Sequence, residues 1–152
     1  MSKTLLKIKG LTAQAFLQWF HHAGQADLLA ANPEHYIVQP QGNTQEVCET
    51  MDCYGQPMHF RIFFTQDEKI IPIELEKGYE FKLLGYGKSV ADGKPMNTYA
   101  AHQFRNTADG FEALLQIVFP DCVPVELVKG HQTHLAIEFN NWVEMAHQAQ
   151  RG

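Results

Sequence analysis

The stretch GHQTHLAIEFNNWVEMAHQ, residues 130 to 148, carries His131, Glu138 and Trp142 at helical spacing. An α-helix advances about 100° per residue, which brings Val128, Leu135, Phe139, Trp142 and Ala146 into one narrow apolar stripe. His131 and Glu138 fall inside that stripe or at its rim, while Asn140 lies opposite and Asn141 to the side. At about 1.5 Å of rise per residue the two polar groups stand roughly 10 Å apart, able to line one cavity but not to touch. A histidine titrates near neutrality, so on a pocket wall it can serve as general acid or base with a carboxylate to orient or tune it. The plainer account is a packed residue whose polar atoms bond to backbone or water. A buried polar group without a partner costs about 1–3 kcal/mol, which calls for partners or for a cavity that admits them.

A second polar residue belongs with these. MNTYAAHQFRNTADGFEALLQIVFP reads as a hairpin with Asp109-Gly110 as a two-residue turn needing positive φ. Counting outward predicts the pairs Ala108 with Phe111, Asn106 with Ala113, Phe104 with Leu115, His102 with Ile117, and Ala100 with Phe119. Side chains alternate along a strand, so these share one face; its apolar content makes it the buried one, with His102 as the exception. Packed together, the two elements offer His102, Phe104, His131, Leu135, Glu138 and Trp142 as a ligand-binding wall. Of these, His102, His131 and Glu138 are the candidates for catalysis.

PMHFRIFF adds Arg61. Met58, Phe60, Ile62 and Phe64 form the core face of this strand, leaving Arg61 towards solvent with Glu49 of the preceding strand as its partner. A bend that turned the other face inward would make Arg61 an anchor for an anionic ligand, so it joins the candidate binding set. His131, His134 and Glu138 also stand at i, i+3 and i+7, a spacing able to place three metal ligands along one helix side. The i, i+4 histidine pair of H-E-x-x-H is missing and no C-x-x-C supports it, so neither a metal nor another cofactor is expected, and His134 is assigned to a solvated helix edge.

Other residues have plain explanations. His21 and His22 close a helix whose dipole favours imidazoles there. Ser2 and Ser89 lack a G-x-S-x-G context, and Gly85, Gly87 and Gly93 do not make G-x-G-x-x-G. Cys48, Cys53 and Cys122 are odd in number and without redox spacing, which reads as free thiols. Trp19 and Tyr36 fit either core or pocket wall.

The whole chain bounds these readings. Its 152 residues suit one domain over residues 1–152, and 45% hydrophobic with 19% charged residues is globular composition. Twelve Lys plus Arg against 17 Asp plus Glu give a net charge of -5, which attracts no phosphate backbone, so nucleic acid is not an expected partner. No apolar run has the length of a secretion signal or a membrane span, and a cytoplasmic location is expected. The oligomeric state is open between monomer and homodimer.

Thr4 to Lys9 reads as an edge strand; LTAQAFLQWFHHAG as a helix with Thr12 as N-cap, a Phe16, Leu17 and Phe20 stripe and a stop at Gly24; Ala26 to Ala31 as a second helix before Pro33. TQEVCETM, PMHFRIFF and EFKLLGYGKSV are strands, punctuated by DCYGQ and ADGK, and the hairpin follows. The last helix runs from near Pro124 to about Gln148, with Gly130 its weak point. The class is α+β: an antiparallel sheet of six to seven strands gripping a long C-terminal helix, with two short helices near the N-terminus. That order resembles the START-like, or helix-grip, superfamily over nearly the whole chain, a group that includes lipid-transfer domains and polyketide aromatase/cyclases. The resemblance implies a ligand cavity between sheet and C-terminal helix. FLQWFHHAGQADLLAANPEHY is similar to the start of the nuclear-transport-factor-like cone fold as well, although that fold ends on strands.

The expected function is binding of a hydrophobic or aromatic small molecule in such a cavity. A cyclase or dehydratase type of enzyme using His102 or His131 as acid/base is the alternative. An interaction module with packed histidines and no ligand is the third.

Overall fold

Alternation of inward and outward side chains drives most of the chain into one antiparallel sheet. The structure, a computed structural model, describes residues 1–50, 57–91 and 93–152. In chain order these form β1 (Ser2–Lys9), α1 (Ala13–His22), α2 (Gln25–Ala30), β2 (His35–Gln41), β3 (Thr44–Thr50), β4 (Pro57–Thr65), a single 3-10 turn (Glu68–Ile70), β5 (Phe81–Ala91), β6 (Lys94–Asn106), β7 (Gly110–Val118) and α3 (Val125–Arg151). The strands form a seven-stranded sheet in the order β1-β7-β6-β5-β4-β3-β2. The architecture is thus the α+β one expected, with a long C-terminal helix and two short helices near the N-terminus. No helix among the described residues is long and apolar enough to cross a membrane.

Local chemistry accounts for the element ends. Thr12 caps α1 by accepting from the Ala15 amide at 3.2 Å. Gly24 does not close α1; it opens α2, where the Asp27 carboxylate accepts from its amide at 3.0 Å. β1 is an edge strand, as its pattern predicts. The opposite edge is β2, a strand the sequence reading did not single out; it turns into β3 through Gly42, at φ 60°, and Asn43, with Gln41 facing Thr44. Pro40 fits there because an edge strand leaves one side of its ladder unpaired. Cys48 and Cys122 are free thiols; Cys53 and the DCYGQ turn, and Asp92 of ADGK, lie outside the described residues.

The β6–β7 hairpin differs from its predicted register. Asn106 faces Phe111, Phe104 faces Ala113 and Ala100 faces Ile117, so the pairing slips by two residues from the predicted one. Thr107 donates to the Gly110 carbonyl at 2.9 Å, giving a three-residue loop. A slip of two preserves which face each side chain takes, so the inward set survives the error. Gly110 is also glycine for another reason than turn geometry: positive φ falls on Gly10, at 71°, whose amide donates to the Asp109 carbonyl at 2.8 Å. A Cβ on Gly110 would lie 1.9 Å from the Ile8 carbonyl oxygen of β1.

Four fully buried rings tie helices to sheet. Phe16 of α1 stands 4.7 Å from Phe139 of α3, 5.7 Å from Phe111 of β7 and 5.8 Å from Phe104 of β6, centroid to centroid. On α3 the buried face is broader than the narrow stripe: Leu127, His134 and Val143 belong to it, while Val128 is only half-buried. The other face of the sheet is covered over β5 and β6 by residues 71–76, where Ile71 packs with Leu84 and Ala101 and Gln103 pairs with both backbone groups of Glu76.

Gly110→Ala forces β1 away from β7, and urea denaturation is expected to show a loss of about 1–3 kcal/mol. Asp109→Ala in the exposed loop is expected to change stability by less than about 0.5 kcal/mol. The reverse order would mean that turn conformation, not strand approach, selects the glycine.

Candidate functional site

The inner face of the sheet and α3 do not close completely on each other. Between them lies a cavity of about 100 Å³ whose apolar wall includes Val47, Phe60, Ile62, Leu83, Ala100 and Leu135. His102 of β6 and His131, Glu138 and Trp142 of α3 also line it, so four polar or amphipathic candidates meet there with Leu135. Phe104 does not line it. Its ring is sealed in the aromatic core, 5.9 Å from Phe139.

Arg61 is not at this site. It faces Glu46 across β3 and β4, with Nε 3.7 Å from the Glu46 carboxylate and a side chain 55% exposed. Glu49 sits opposite Met58 instead and therefore points inward, which excludes the predicted Arg61–Glu49 pair. His134 is likewise not on a solvated edge; it is 3% exposed and lines the same cavity.

One end of the cavity is a cluster that the sequence reading did not assemble. His35 of β2 and Glu49 of β3 are cross-strand partners, with His35 Nε2 3.2 Å from Glu49 Oε2. From α3, His134 Nε2 comes to 2.9 Å of the same oxygen, and Glu138 Oε1 lies 3.4 Å from His35 Nε2. The two Nε2 atoms are 3.2 Å apart. Behind them, His134 Nδ1 is 2.8 Å from the Glu34 carboxylate and His35 Nδ1 is 3.3 Å from the Leu28 carbonyl. Asn32 Oδ1 accepts from the Glu34 amide, and its Nδ2 donates to the His134 carbonyl at 3.2 Å.

Charge is unevenly distributed in this cavity. Burial alone would lower the His134 imidazole, but its bond to Glu49, the charges of Glu138 and Glu49 and its bond to Glu34 together raise it to about 10. Burial opposes ionisation of Glu49 too, and the bonds to His134 and His35 overcome it, holding the carboxyl at about 2. Burial raises Glu138, against the pull of both imidazoles, and His35 is raised because its carboxylate neighbours outweigh burial. His102 and His131, by contrast, are pushed down to about 4 by burial. His102 Nδ1 accepts from the Gln116 amide at 3.1 Å, which places its proton on Nε2 and interrupts the β6–β7 ladder at Ala101 and His102. His131 lies between Phe60 and Phe119, at ring distances of 5.3 and 5.1 Å.

Three polar atoms of the cavity wall are buried without a hydrogen-bond partner among the described residues: Glu49 Oε1, His131 Nε2 and Trp142 Nε1. As for metal-capable groups, His35, His134 and Glu138 present one ligand atom each within 4.8 Å of one another. His131, the first residue of the HQTH spacing, is not in that group.

No protein-family model matches the sequence, and no curated protein matches it. Solved structures do resemble the fold. A conserved protein from Geobacillus kaustophilus superposes with a TM-score of 0.65 at 8% identity, covering 97% of this chain and 95% of that one. An uncharacterised protein from Rhizobium leguminosarum superposes with a TM-score of 0.56 at 12% identity, over 96% and 93% of the two chains. At these identities the likeness is one of fold, an antiparallel sheet with a C-terminal helix.

For a histidine whose folded-state pKa lies below its unfolded one, the unfolded chain gains a proton first on acidification. Stability from His102 is therefore complete above pH 6.5 and lost as pH falls towards 4, by an amount on the order of 3 kcal/mol. Nitrogen NMR is expected to show His102 neutral, with its proton on Nε2, from pH 8 to pH 5. A midpoint near 6.5 would mean that water reaches the ring.

Proposed function

We propose that this protein binds a small, largely apolar molecule between the sheet and α3, with a polar group of the ligand turned to the histidine-rich wall. The observation that carries this reading is the set of three unpartnered polar atoms, on Glu49, His131 and Trp142, around one cavity. Each such atom costs about 1–3 kcal/mol unless something bonds to it, and a ligand with a donor or acceptor supplies that bond. The apolar remainder of the wall supplies the binding energy.

Size narrows the ligand. A cavity of about 100 Å³ is smaller than the ~150 Å³ that takes up one benzene ring, and far below the ~300–1,000 Å³ of drug-sized sites. A single small ring or short branched chain is the upper limit without movement of the wall. A lipid-carrier role of the kind known in the START-like superfamily, which the element order resembles, is therefore disfavoured by volume. A second reading, acid–base catalysis, has support in one place: the carboxyl of Glu138, raised by burial, faces the cavity beside two raised imidazoles. His102 and His131 are poor bases at neutral pH when burial holds them at about 4, so the acid–base role moves to Glu138 and His134.

Ala100→Val puts two methyl groups into existing space, so stability is expected to change by less than about 1 kcal/mol. Native mass spectrometry of the protein as purified is expected to find a small organic adduct that this substitution removes. For added probes within that size limit, such as isobutanol, isobutyrate and pyrrole, the Trp142 indole N–H resonance reports binding, and Ala100→Val weakens it at least about tenfold, 1.4 kcal/mol. No adduct, together with an indole resonance that none of the probes moves, would sink the proposal.

A further inference from the structure

The hydrogen-bond acceptors behind the cluster decide where its protons are. A carbonyl oxygen and a carboxylate can only accept, so Leu28 O and Glu34 Oε2 place the ring protons of His35 and His134 on Nδ1. Asn32 Nδ2, 3.0 Å from His134 Nδ1, gives one of its two hydrogens to the His134 carbonyl, and the shorter Nδ1 contact is the 2.8 Å one to the Glu34 carboxylate, which can only accept. In the neutral form of both rings, the form a metal requires, the Nε2 atoms present lone pairs to each other and to the carboxylates of Glu49 and Glu138; the ion takes the place of the proton that otherwise bridges His134 Nε2 and Glu49. Four lone-pair donors on four buried side chains converge, and Glu49 holds a further oxygen, Oε1, with no partner among the described residues. Such a group repels itself unless positive charge lies between its members.

The geometry points to a binding site for one divalent transition-metal ion, Zn²⁺ first among them, held by His35 Nε2, His134 Nε2, Glu49 and Glu138. Zinc bonds of roughly 2.0–2.2 Å to nitrogen and oxygen require tetrahedral edges of about 3.3–3.6 Å. The two nitrogens are 3.2 Å apart and stand 3.2 and 2.9 Å from Glu49 Oε2, while Glu138 faces them with both oxygens, Oε1 3.4 Å from His35 Nε2 and Oε2 3.8 Å from His134 Nε2. His35, His134 and Glu138 bring one ligand atom each within 4.8 Å of one another, and Glu49 Oε2 adds a fourth close to both nitrogens. The outer layer fits as well: metal-bound histidines usually donate their second nitrogen to a carboxylate or a backbone carbonyl, the partners that Glu34 and Leu28 provide. Two imidazoles select against Ca²⁺ and Mg²⁺, which take oxygen ligands.

All four residues line the cavity, so an ion bound there has one side towards the space assigned above to a small molecule. The metal site rests on donor geometry alone and stands whether or not an organic ligand binds. The competing arrangement is a metal-free cluster in which protons on the imidazoles supply the positive charge.

The test adds Co²⁺ to the full-length protein after chelator treatment and dialysis. One equivalent is expected to bind with the intense visible bands of four-coordinate cobalt, and Zn²⁺ is expected to displace it. Glu138→Gln and His35→Gln, close in shape to the originals, are expected to weaken binding at least tenfold, and His21→Gln with His22→Gln to leave it unchanged. Nitrogen NMR of the zinc-bound wild type needs no variant to fold: the Nε2 signals of His35 and His134 move, and those of His21, His22 and His147 do not. No stoichiometric cobalt binding, or zinc shifts confined to the other histidines, would overturn the site in favour of the proton-held cluster. Trp142 reports the small molecule and His35 the ion, so the two proposals fail separately.

Discussion

Glu49 is 2% exposed, and a carboxylate so far from water is tolerated only where hydrogen bonds and opposite charge replace its hydration. The replacement comes from two directions. His35 reaches it across the ladder from β2, and His134 reaches it from α3, so one oxygen joins the edge hairpin of the sheet to the C-terminal helix. Much of the surrounding chain serves this junction. Glu34 and Asn32, in the segment between α2 and β2, contact the back of His134; the Leu28 carbonyl of α2 meets His35; and the β2–β3 register shifts between His35 and Ile37, beside the inward-facing ring.

Such a junction is a poor device for stability alone. Buried ion pairs recover little more than they lose in hydration, and well-packed apolar side chains of similar volume serve as well or better. Loss of one partner is a different matter, because it leaves an uncompensated charge in the interior. The α1 aromatic core already fixes the other half of the interface through Phe16, Phe104, Phe111 and Phe139, without any polar atom. The sheet and helix are therefore held in two ways: an apolar lock near α1, and a polar lock near β2 with the cavity beside it. Under the function proposed above, chemistry more than cohesion explains why the second lock is built from ionisable groups.

What could be read in the sequence followed from periodicity. The faces of β4, β6 and β7 came out correctly because a strand has period two and the hairpin error was a slip of two, which leaves inward residues inward. His102 faces inward for that reason. On α3 the 3.6-residue period placed His131, Glu138 and Trp142 inward but not His134. His35 was missed, because HYIVQPQ has a proline and little alternation, and the Gly42-Asn43 turn that marks the hairpin was overlooked. Glu49 and Arg61 look like a cross-strand pair on charge alone; register separates them, and no local pattern reveals which charge is outward. His134 lies beside the narrow apolar stripe, and its burial depends on how wide a surface β2 and β3 present to α3. Phe104 was placed on the correct face, but a face says nothing of whether it meets the cavity or the ring cluster of α1.

The cavity and the junction are best understood as one electrical object. His102 and His131 are held neutral by burial, so they present dipoles and not charges to whatever lies between sheet and helix. Charge is confined to the end where Glu49, His134, His35 and Glu138 meet, and in an interior of low dielectric its influence extends further than it would in water. The wall thus combines hydrocarbon at Val47, Ile62 and Leu83, neutral hydrogen-bonding rings at His131 and Trp142, and full charge at the cluster. Under the proposed function that contrast sets orientation. It favours a ligand with one polar terminus directed at the cluster, which is also the position from which such a terminus would reach an ion held there.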